Sequence, residues 1–484
     1  MKAAVILEKN GTRMTLPFEP GKLLSEVLGQ NGEVLDMPCS GNGSCGGCLV
    51  YVDGQKLRAC QTPAKAGMHV QLIGHSDIKG IGVPDIAAPT KPMFKRFGVA
   101  FDIGTTTVYA SLLDANGLVE TVIRKNPQTK YGADVISRIE KALSGNQTEL
   151  ADCIRSTLNE MISELCAHKG ILACDIDAAV AVGNTAMLYL LTQHNPYALS
   201  HAPFEADRLF DESLSALALD IAIAPDAQVY IPPCISAFIG ADFTAAAIAS
   251  GILDRYKTAL LADIGTNGEI ALWHNGMLTC CSTAAGPAFE GAGITCGTYG
   301  IDGAIDKAWL DNGQIQTSTI GGKAAVGICG SGIIDLLTAM LKAGIIDRTG
   351  AFKTGIDAVV LQNEIYVNIS DVRKIQLAKG AVRAGIETLI THTGIKEEEI
   401  QALFISGGFG SFINLANAVA IGLIPTALLN RSKTIGNAAQ TGAINILCNR
   451  SLCSASQLLA KRVNVVGLDA NPVFLDNYIR YMHF

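Results

Sequence analysis

The chain has no long apolar run. Across 484 residues no uninterrupted apolar stretch reaches the ~18 needed to span a bilayer, and the longest candidate, LANAVAIGLIPTALL, is short and contains Pro425. The opening MKAAVILEKNGTR has a lysine at position 2 but neither a sufficient apolar stretch nor a cleavage site, so it does not read as a signal peptide. A cytoplasmic protein without a membrane partner is expected. Basic clusters are also lacking. The formal charge is -7, and no lysine or arginine run concentrates the positive face that nucleic acid requires. Ten of the 14 cysteines (153, 166, 174, 234, 280, 281, 296, 329, 448 and 453) lack metal-ligand spacing. They read as small buried hydrophobes in a reducing compartment, and the adjacent Cys280 and Cys281 cannot easily chelate one ion. Glycine, by contrast, is abundant at 50 residues, and 49% of the chain is hydrophobic, which predicts a well-buried α/β protein with many tight turns. The length calls for two or three domains.

The other four cysteines, Cys39, Cys45, Cys48 and Cys60, lie in PCSGNGSCGGCLVYVDGQKLRAC, three in one Gly-rich loop and the fourth a strand later. A [2Fe-2S] cluster needs four thiolates arriving from one side while the backbone wraps closely enough to donate N–H bonds to the sulfurs. Gly41, Gly43, Gly46 and Gly47 permit that wrap, since they allow positive φ and present no Cβ to the inorganic sulfides. The spacing C-x5-C-x2-C-x11-C carries one residue more before the second ligand than the C-x4-C-x2-C of plant-type ferredoxins. A structural zinc site usually pairs two C-x2-C knuckles, of which only one is here, and disulfides would need an oxidising compartment. The flanks agree with the cluster: VILEKNGTRMTLPFEPGKLLSEVLGQNG reads as a hairpin and short helix, and LVYVDGQKLRAC as a hairpin turning at Asp53-Gly54. Residues 1–75 resemble the β-grasp ferredoxin-like fold, with the short return to the last cysteine seen in the iron-sulfur subunits of succinate dehydrogenases. Residues 76–97, with Pro84, Pro89 and Pro92, read as a semi-rigid linker.

From Gly98 the texture becomes alternating buried strands and helices. VAFDIGTTTVYASLLD at 99–114 and LLADIGTNGEIALWH at 260–274 share an apolar strand, Asp-Ile-Gly-Thr, a turn and a second strand. A repeat about 160 residues apart implies two related lobes. Each strand delivers a carboxylate where Mg²⁺ can be held with waters and phosphates, and the Gly and Thr that follow expose N–H groups and a hydroxyl as an anion nest. Asp102, Gly104, Thr105 and Thr106 form the first expected phosphate loop; Asp263, Gly265, Thr266 and Asn267 form the second. A single D-x-G-T could be an ordinary hairpin turn, but a third element follows. LFISGGFGSFIN at 403–414 is a buried strand opening into Gly407-Gly408-Phe409-Gly410, where glycine lets backbone lie flat against a nucleotide.

In this order the three elements resemble the acetate and sugar kinase, heat-shock ATPase and actin superfamily over residues 98 to about 447. That resemblance implies a two-lobed actin-like (ribonuclease H-like) ATPase domain over 98–484, with lobe one at about 98–255, lobe two at about 256–450 and a C-terminal remainder packed on it. CISAFIGADFTAAAIASGIL at 234–253 and GNAAQTGAINIL at 436–447 match the two interlobe connections, whose small residues let helices approach closely. SDVRKIQLAKGAVRAGIETLITHTG reads as an amphipathic helix with Ser370 or Asp371 as N-cap and Lys379 reaching water rather than the adenine. Asp242 and Glu290, acids in Gly/Ala-rich surroundings, are the candidates to orient an attacking water.

A one-electron cluster joined to an ATPase suggests electron transfer that needs ATP, since a cluster at about -400 mV cannot easily reduce an acceptor of lower potential. The whole chain, including AAGPAFEGAGI at 284–294 and GICGSGIIDLL at 327–337, resembles the reductive activators of corrinoid proteins. The resemblance implies a [2Fe-2S] cluster, ATP and Mg²⁺ as cofactors, a Co(II) corrinoid protein as electron acceptor, and a low-potential electron donor. Longer members carry an extra domain between linker and ATPase; here VAFDIGTT follows the linker almost directly, so a short form without the middle domain is expected. Two alternatives stand: ATP-dependent donation to another low-potential enzyme, and a redox-regulated small-molecule kinase with Asp242 as base.

Overall fold

The computed structural model describes residues 3–9, 12–33, 35, 48–72, 89–132, 134–408 and 412–484. Cys39, Cys45, the four loop glycines, most of the linker, Phe409 and Gly410 lie outside the described residues.

In the N-terminal domain Ala3–Lys9 (β1) and Thr12–Phe18 (β2) form an antiparallel hairpin, followed by Leu24–Gln30 (α1). Leu49–Val52 (β3) and Gln55–Arg58 (β4) form a second hairpin, in which Asp53 (φ 50°) and Gly54 (φ 82°) supply the left-handed pair of a two-residue turn. His69–Leu72 (β5) runs parallel to β1 and antiparallel to β3, giving the order β2-β1-β5-β3-β4. Alternation places Val5, Leu7, Leu16, Phe18, Val50, Val52 and Val70 on one face, where they bury Leu24, Val27 and Leu28 of α1. A single helix on a mixed sheet is the β-grasp arrangement.

Two larger sheets follow. Phe97–Ile103 (β6), Thr107–Asp114 (β7) and Gly117–Lys125 (β8) form an antiparallel meander. Helices Val135–Lys141 (α2) and Gln147–Lys169 (α3) lead to Ile176–Gly183 (β9), parallel to β6. Thr185–Leu191 (α4), Tyr197–Ser200 (α5), Glu212–Ser215 (β10) and Gln228–Ile231 (β11) complete the order β10-β11-β9-β6-β7-β8. After Ala241–Ser250 (α6) and Ile252–Arg255 (α7) the plan repeats. Thr258–Ile264 (β12), Gly268–His274 (β13) and Met277–Thr283 (β14) form the second meander.

An excursion then carries Ala304–Asp311 (β15), Gln314–Thr319 (β16), Gly327–Ile328 (β17), Gly330–Lys342 (α8), Ala358–Val360 (β18) and Tyr366–Asn368 (β19). Ile369–Thr393 (α9) precedes Ala402–Ser406 (β20), which lies parallel to β12 as β9 does to β6. Leu415–Ala420 (α10), Ser432–Gly436 (β21), Ala438–Cys448 (α11), Ser451–Ala460 (α12), Val463–Val465 (β22) and Pro472–Tyr481 (α13) close the chain in the order β21-β20-β12-β13-β14-β22. The sequence repeat is thus a repeat of sheet topology.

Two features of the helices differ from expectation. The N-cap of α9 is Asn368: its side chain accepts from the Asp371 N–H at 3.1 Å while Asp371 accepts from the Asn368 N–H at 3.2 Å. This reciprocal box starts the helix ahead of Ser370 and leaves Asp371 inside the first turn. Lys379 does not reach water. It is fully buried, its Nζ donates to the His483 carbonyl, and it lies 5.3 Å from the centre of the Phe484 ring. The residues that cover it are about a hundred positions away, beyond any helical periodicity.

Candidate functional site

β6 carries Asp102 to the mouth of its hairpin, where Oδ2 accepts from Asn437 Nδ2 at 2.8 Å. The Gly104 N–H donates to the Thr107 carbonyl at 3.0 Å, and a Cβ on Gly104 would stand 2.7 Å from that oxygen. The loop is held from behind. Asn126 Nδ2 donates to the Gly104 carbonyl at 2.8 Å, Arg138 Nη2 to the Thr105 carbonyl at 2.6 Å, and Asn184 Nδ2 to Thr105 Oγ1 at 3.0 Å. The second loop is built alike on β12: Asp263 Oδ2 accepts from Ser406 Oγ at 3.1 Å, the Gly265 N–H donates to the Asn267 carbonyl at 3.0 Å, and the Gly286 N–H backs the Thr266 carbonyl at 2.8 Å. Gly407, at φ 110°, passes so close that a Cβ would meet the Ile264 carbonyl at 2.2 Å. Only glycine fits there.

The two loops face one cavity of about 740 Å³. The ten described residues proposed from sequence for the nucleotide, from Asp102 to Gly408, all line it, as do Asp242 and Glu290. Glu290 spans the cleft, accepting from Thr106 Oγ1 at 3.2 Å on one lobe and from Thr266 Oγ1 at 3.1 Å on the other. Glu269, opposite Asp263 in the β12–β13 ladder, is a further cavity-lining acid that sequence reading missed. Its signal was available, since it follows the second D-x-G-T by three residues. Arg138, Asn126 and Asn437 were also missed, because contacts across 22 to 335 residues leave no local pattern.

Burial in the cleft raises the proton affinity of four of these carboxylates. Burial chiefly lifts Asp102 to about 7, Asp242 to about 8 and Asp263 to about 6, with a neighbouring carboxylate adding to each. Glu269 is pushed well above its ordinary range by the same burial, then by Asp242. A donor set of carboxylate oxygens beside exposed backbone amides suits a hard divalent cation together with phosphates. Among the described residues no three acids converge tightly enough to cage an ion alone, so such a cation would keep waters and phosphate oxygens in its shell.

In the N-terminal domain the β3–β4 hairpin brings Cys48 and Cys60 together. Both are buried, their sulfurs stand 3.0 Å apart, and the Ala59 N–H donates to the Cys48 carbonyl at 2.9 Å. Neither is in a disulfide. Two thiols side by side at a hairpin base fit half of a four-thiolate cluster site. Of the ten scattered cysteines, Cys280 and Cys281 are buried in β14, and burial raises the Cys280 thiol to about 12; Cys174 is exposed, unlike the buried hydrophobe expected.

Comparison with known proteins places three family models on the chain: the C-terminal domain of RACo, described as the ASKHA domain, over residues 257–484; the RACo middle region over 97–255; and a 2Fe-2S iron-sulfur cluster binding domain over 14–73. The corrinoid activation enzyme RamQ of Eubacterium limosum is 33% identical over 435 residues, 84% of this chain and 73% of that protein. The [Co(II) methylated amine-specific corrinoid protein] reductase of Methanosarcina barkeri is 25% identical over 404 residues, 76% of this chain and 73% of that protein. A solved reductive activator for a corrinoid, iron-sulfur protein superposes with a TM-score of 0.75 at 25% identity, covering 100% of this chain and 98% of that one. The middle-region match overturns the expected short form. The residues that begin VAFDIGTT are themselves the middle region, because that region is the β6–β11 sheet bearing the first phosphate loop rather than a separate body ahead of it.

Proposed function

The chain belongs to the family of reductive activators of corrinoid proteins, and from that premise we propose how its two halves divide the work. The protein reduces a Co(II) corrinoid protein by one electron, regenerating the Co(I) state needed for methyl transfer, in a step that requires ATP. It is an ATP-dependent redox activase. A low-potential donor replaces the electron after each turn.

Cys39, Cys45, Cys48 and Cys60 would hold the [2Fe-2S] cluster, which when bound supplies the one-electron carrier. The adjacent, buried sulfurs of Cys48 and Cys60 support this assignment. In the cleft, Thr105, Thr106, Thr266 and Asn267 offer amides and hydroxyls to the phosphates of ATP, and Gly407, Gly408 and Phe409 form the bed for the adenosine. Asp102 and Asp263 would hold Mg²⁺ through water, and the ion would neutralise phosphate charge. Glu290 latches the two loops, since each of its oxygens already accepts a threonine hydroxyl from one lobe. Asp242 keeps Oδ1 on the Phe243 N–H at 2.8 Å and lines the cavity, which suits it to orient the attacking water. Closure of the lobes over nucleotide is the conformational step that ATP drives.

The observation that carries this reading is the union, in one chain, of a cysteine-bearing β-grasp sheet with two phosphate loops facing one cavity. The test mixes chemically reduced, cluster-loaded protein with a Co(II) corrinoid protein and follows the visible spectrum with and without Mg-ATP. Co(I) should form only with ATP and only slowly, or not at all, with Cys48→Ala or Asp263→Ala. Equal Co(I) formation without nucleotide would remove ATP from the reaction.

A further inference from the structure

Arg138 on α2 is fully buried, yet no Asp or Glu forms an ion pair with it among the described residues. Its guanidinium spends its donors on neutral acceptors: Nη2 on the Thr105 carbonyl at 2.6 Å, Nε on the Gly132 carbonyl at 3.0 Å and Nη1 on Met187 Sδ at 3.3 Å. Burial lowers its affinity for its proton to about 10, and Asp134 only partly restores it. A buried cation without a carboxylate partner is expensive unless something else balances it.

The first loop shows what could. A trans peptide points its C=O and the next N–H in opposite directions. Asn126 and Arg138 draw the Gly104 and Thr105 carbonyls back from the cleft, so the N–H groups of Thr105 and Thr106 face the cavity that both residues line. Neither N–H donates to any acceptor among the described residues. Among the described residues the second loop also leaves the Thr266 and Asn267 N–H groups undonated, but the Thr266 carbonyl is backed by a neutral N–H, that of Gly286. The repeat is therefore symmetric in backbone and asymmetric in charge. Position supplies the rest. Gly407 and Ser406 are in contact with Asp263 of the second loop, so a nucleotide seated on the glycine bed reaches the second loop first and the first loop with its far end.

We propose that Arg138 is a positioning residue for the terminal phosphate, fixing the Thr105–Thr106 peptide and supplying, through it, a positive potential that the γ-phosphate of ATP balances and ADP does not. The inference rests on the nucleotide reading of the cleft. Preorganised amides with a charge behind them act strongly in a water-poor cleft because no reorganisation is needed when the anion arrives.

The experiment uses the full chain with its cluster and measures affinities for Mg-ATP and Mg-ADP in the wild type, Arg138→Gln and Arg138→Lys. Glutamine keeps a donor for the Thr105 carbonyl without charge; lysine keeps the charge. Arg138→Gln should weaken ATP about tenfold or more while weakening ADP about threefold or less, and Arg138→Lys should keep the ratio of the two within about threefold of wild type. Equal weakening of both nucleotides by Arg138→Gln, or none, overturns the proposal and leaves Arg138 a packing residue. Hydrogen exchange of the wild-type Thr105 and Thr106 amides, which lie between the paired strands β6 and β7, tests it independently of how the variants fold. Those amides should exchange fast without nucleotide, stay fast with Mg-ADP and slow with Mg-ATP; equal protection by both nucleotides overturns it. A wild type that binds neither nucleotide would instead sink the reading of the cleft beneath it.

Discussion

Lys379 shows how one residue escapes sequence reading. On a helical wheel it invites a solvent assignment, yet tertiary packing buries it under the C-terminal His483 and Phe484 and depresses it to about 7, through burial first and the Arg383 charge second. The sign of the consequence follows from linkage. The unfolded chain keeps this proton up to about 10.5 whereas the folded chain releases it near 7, so between those values the unfolded state binds more protons and stability rises with pH. Urea unfolding at pH 7 and pH 9 should show that rise in the wild type and a smaller one in Lys379→Met. Gly407 carries a second prediction at this scale. With φ 110° and the Ile264 carbonyl 2.2 Å from any Cβ, Gly407→Ala must displace backbone beside Asp263. Nucleotide affinity should fall by about tenfold or more, while the visible spectrum of the cluster, in a separate core, should not change. The cysteine spacing was legible because a cluster imposes it within some twenty residues of chain. Glu269 was equally local but unread, because attention stayed on the turn and not on the strand that leaves it.

Among the elements, α6 and α11 make the crossing between lobes. α11 follows β21 of the second sheet in sequence, yet Ala443, Ile444, Ile446 and Leu447 lie in the core of the first, and Gln440 Nε2 donates to the Ala100 carbonyl at 3.0 Å and Ser111 Oγ at 2.8 Å. α6, which ends the first lobe's stretch of chain, places Phe243, Ala246 and Ala247 in a core with β12 and β13. Small residues let them touch: a Cβ on Gly442 would lie 2.0 Å from the Ala245 carbonyl. Gly442→Ala should therefore destabilise the protein by about 1–3 kcal/mol, read by denaturant unfolding, and should impair ATP turnover because the crossing also carries Asn437 to Asp102. The small-residue composition of both helices was legible; which sheet each packs on was not, since that depends on chain crossing and not on periodicity. The linker ends on the same helix. The N–H groups of Thr90 and Lys91 donate to the Cys448 carbonyl, both at 3.2 Å, and that of Met93 to the Leu447 carbonyl at 2.8 Å, which ties the end of the linker to the far end of α11.

For the whole molecule, the described part of the cluster domain has its own hydrophobic core, apart from those of the lobes. Cys60→Ala should accordingly abolish Co(I) formation while leaving Mg-ATP affinity within about threefold of wild type, measured on full-length protein. Among the described residues no helix is long and apolar enough to cross a membrane, as the missing apolar runs implied. Sequence by itself determined the parts whose physics is local: four thiols at cluster spacing, two D-x-G-T hairpins, and a strand opening into glycines, each with ligand chemistry carried by neighbouring residues. Tertiary structure alone decided what depends on long-range meeting. It set Glu290 between Thr106 and Thr266, a buried guanidinium behind Thr105, Asn437 against Asp102, and the middle region as one lobe of the nucleotide cleft, because charge balance and close packing are properties of surfaces brought together and not of the order in which residues follow one another.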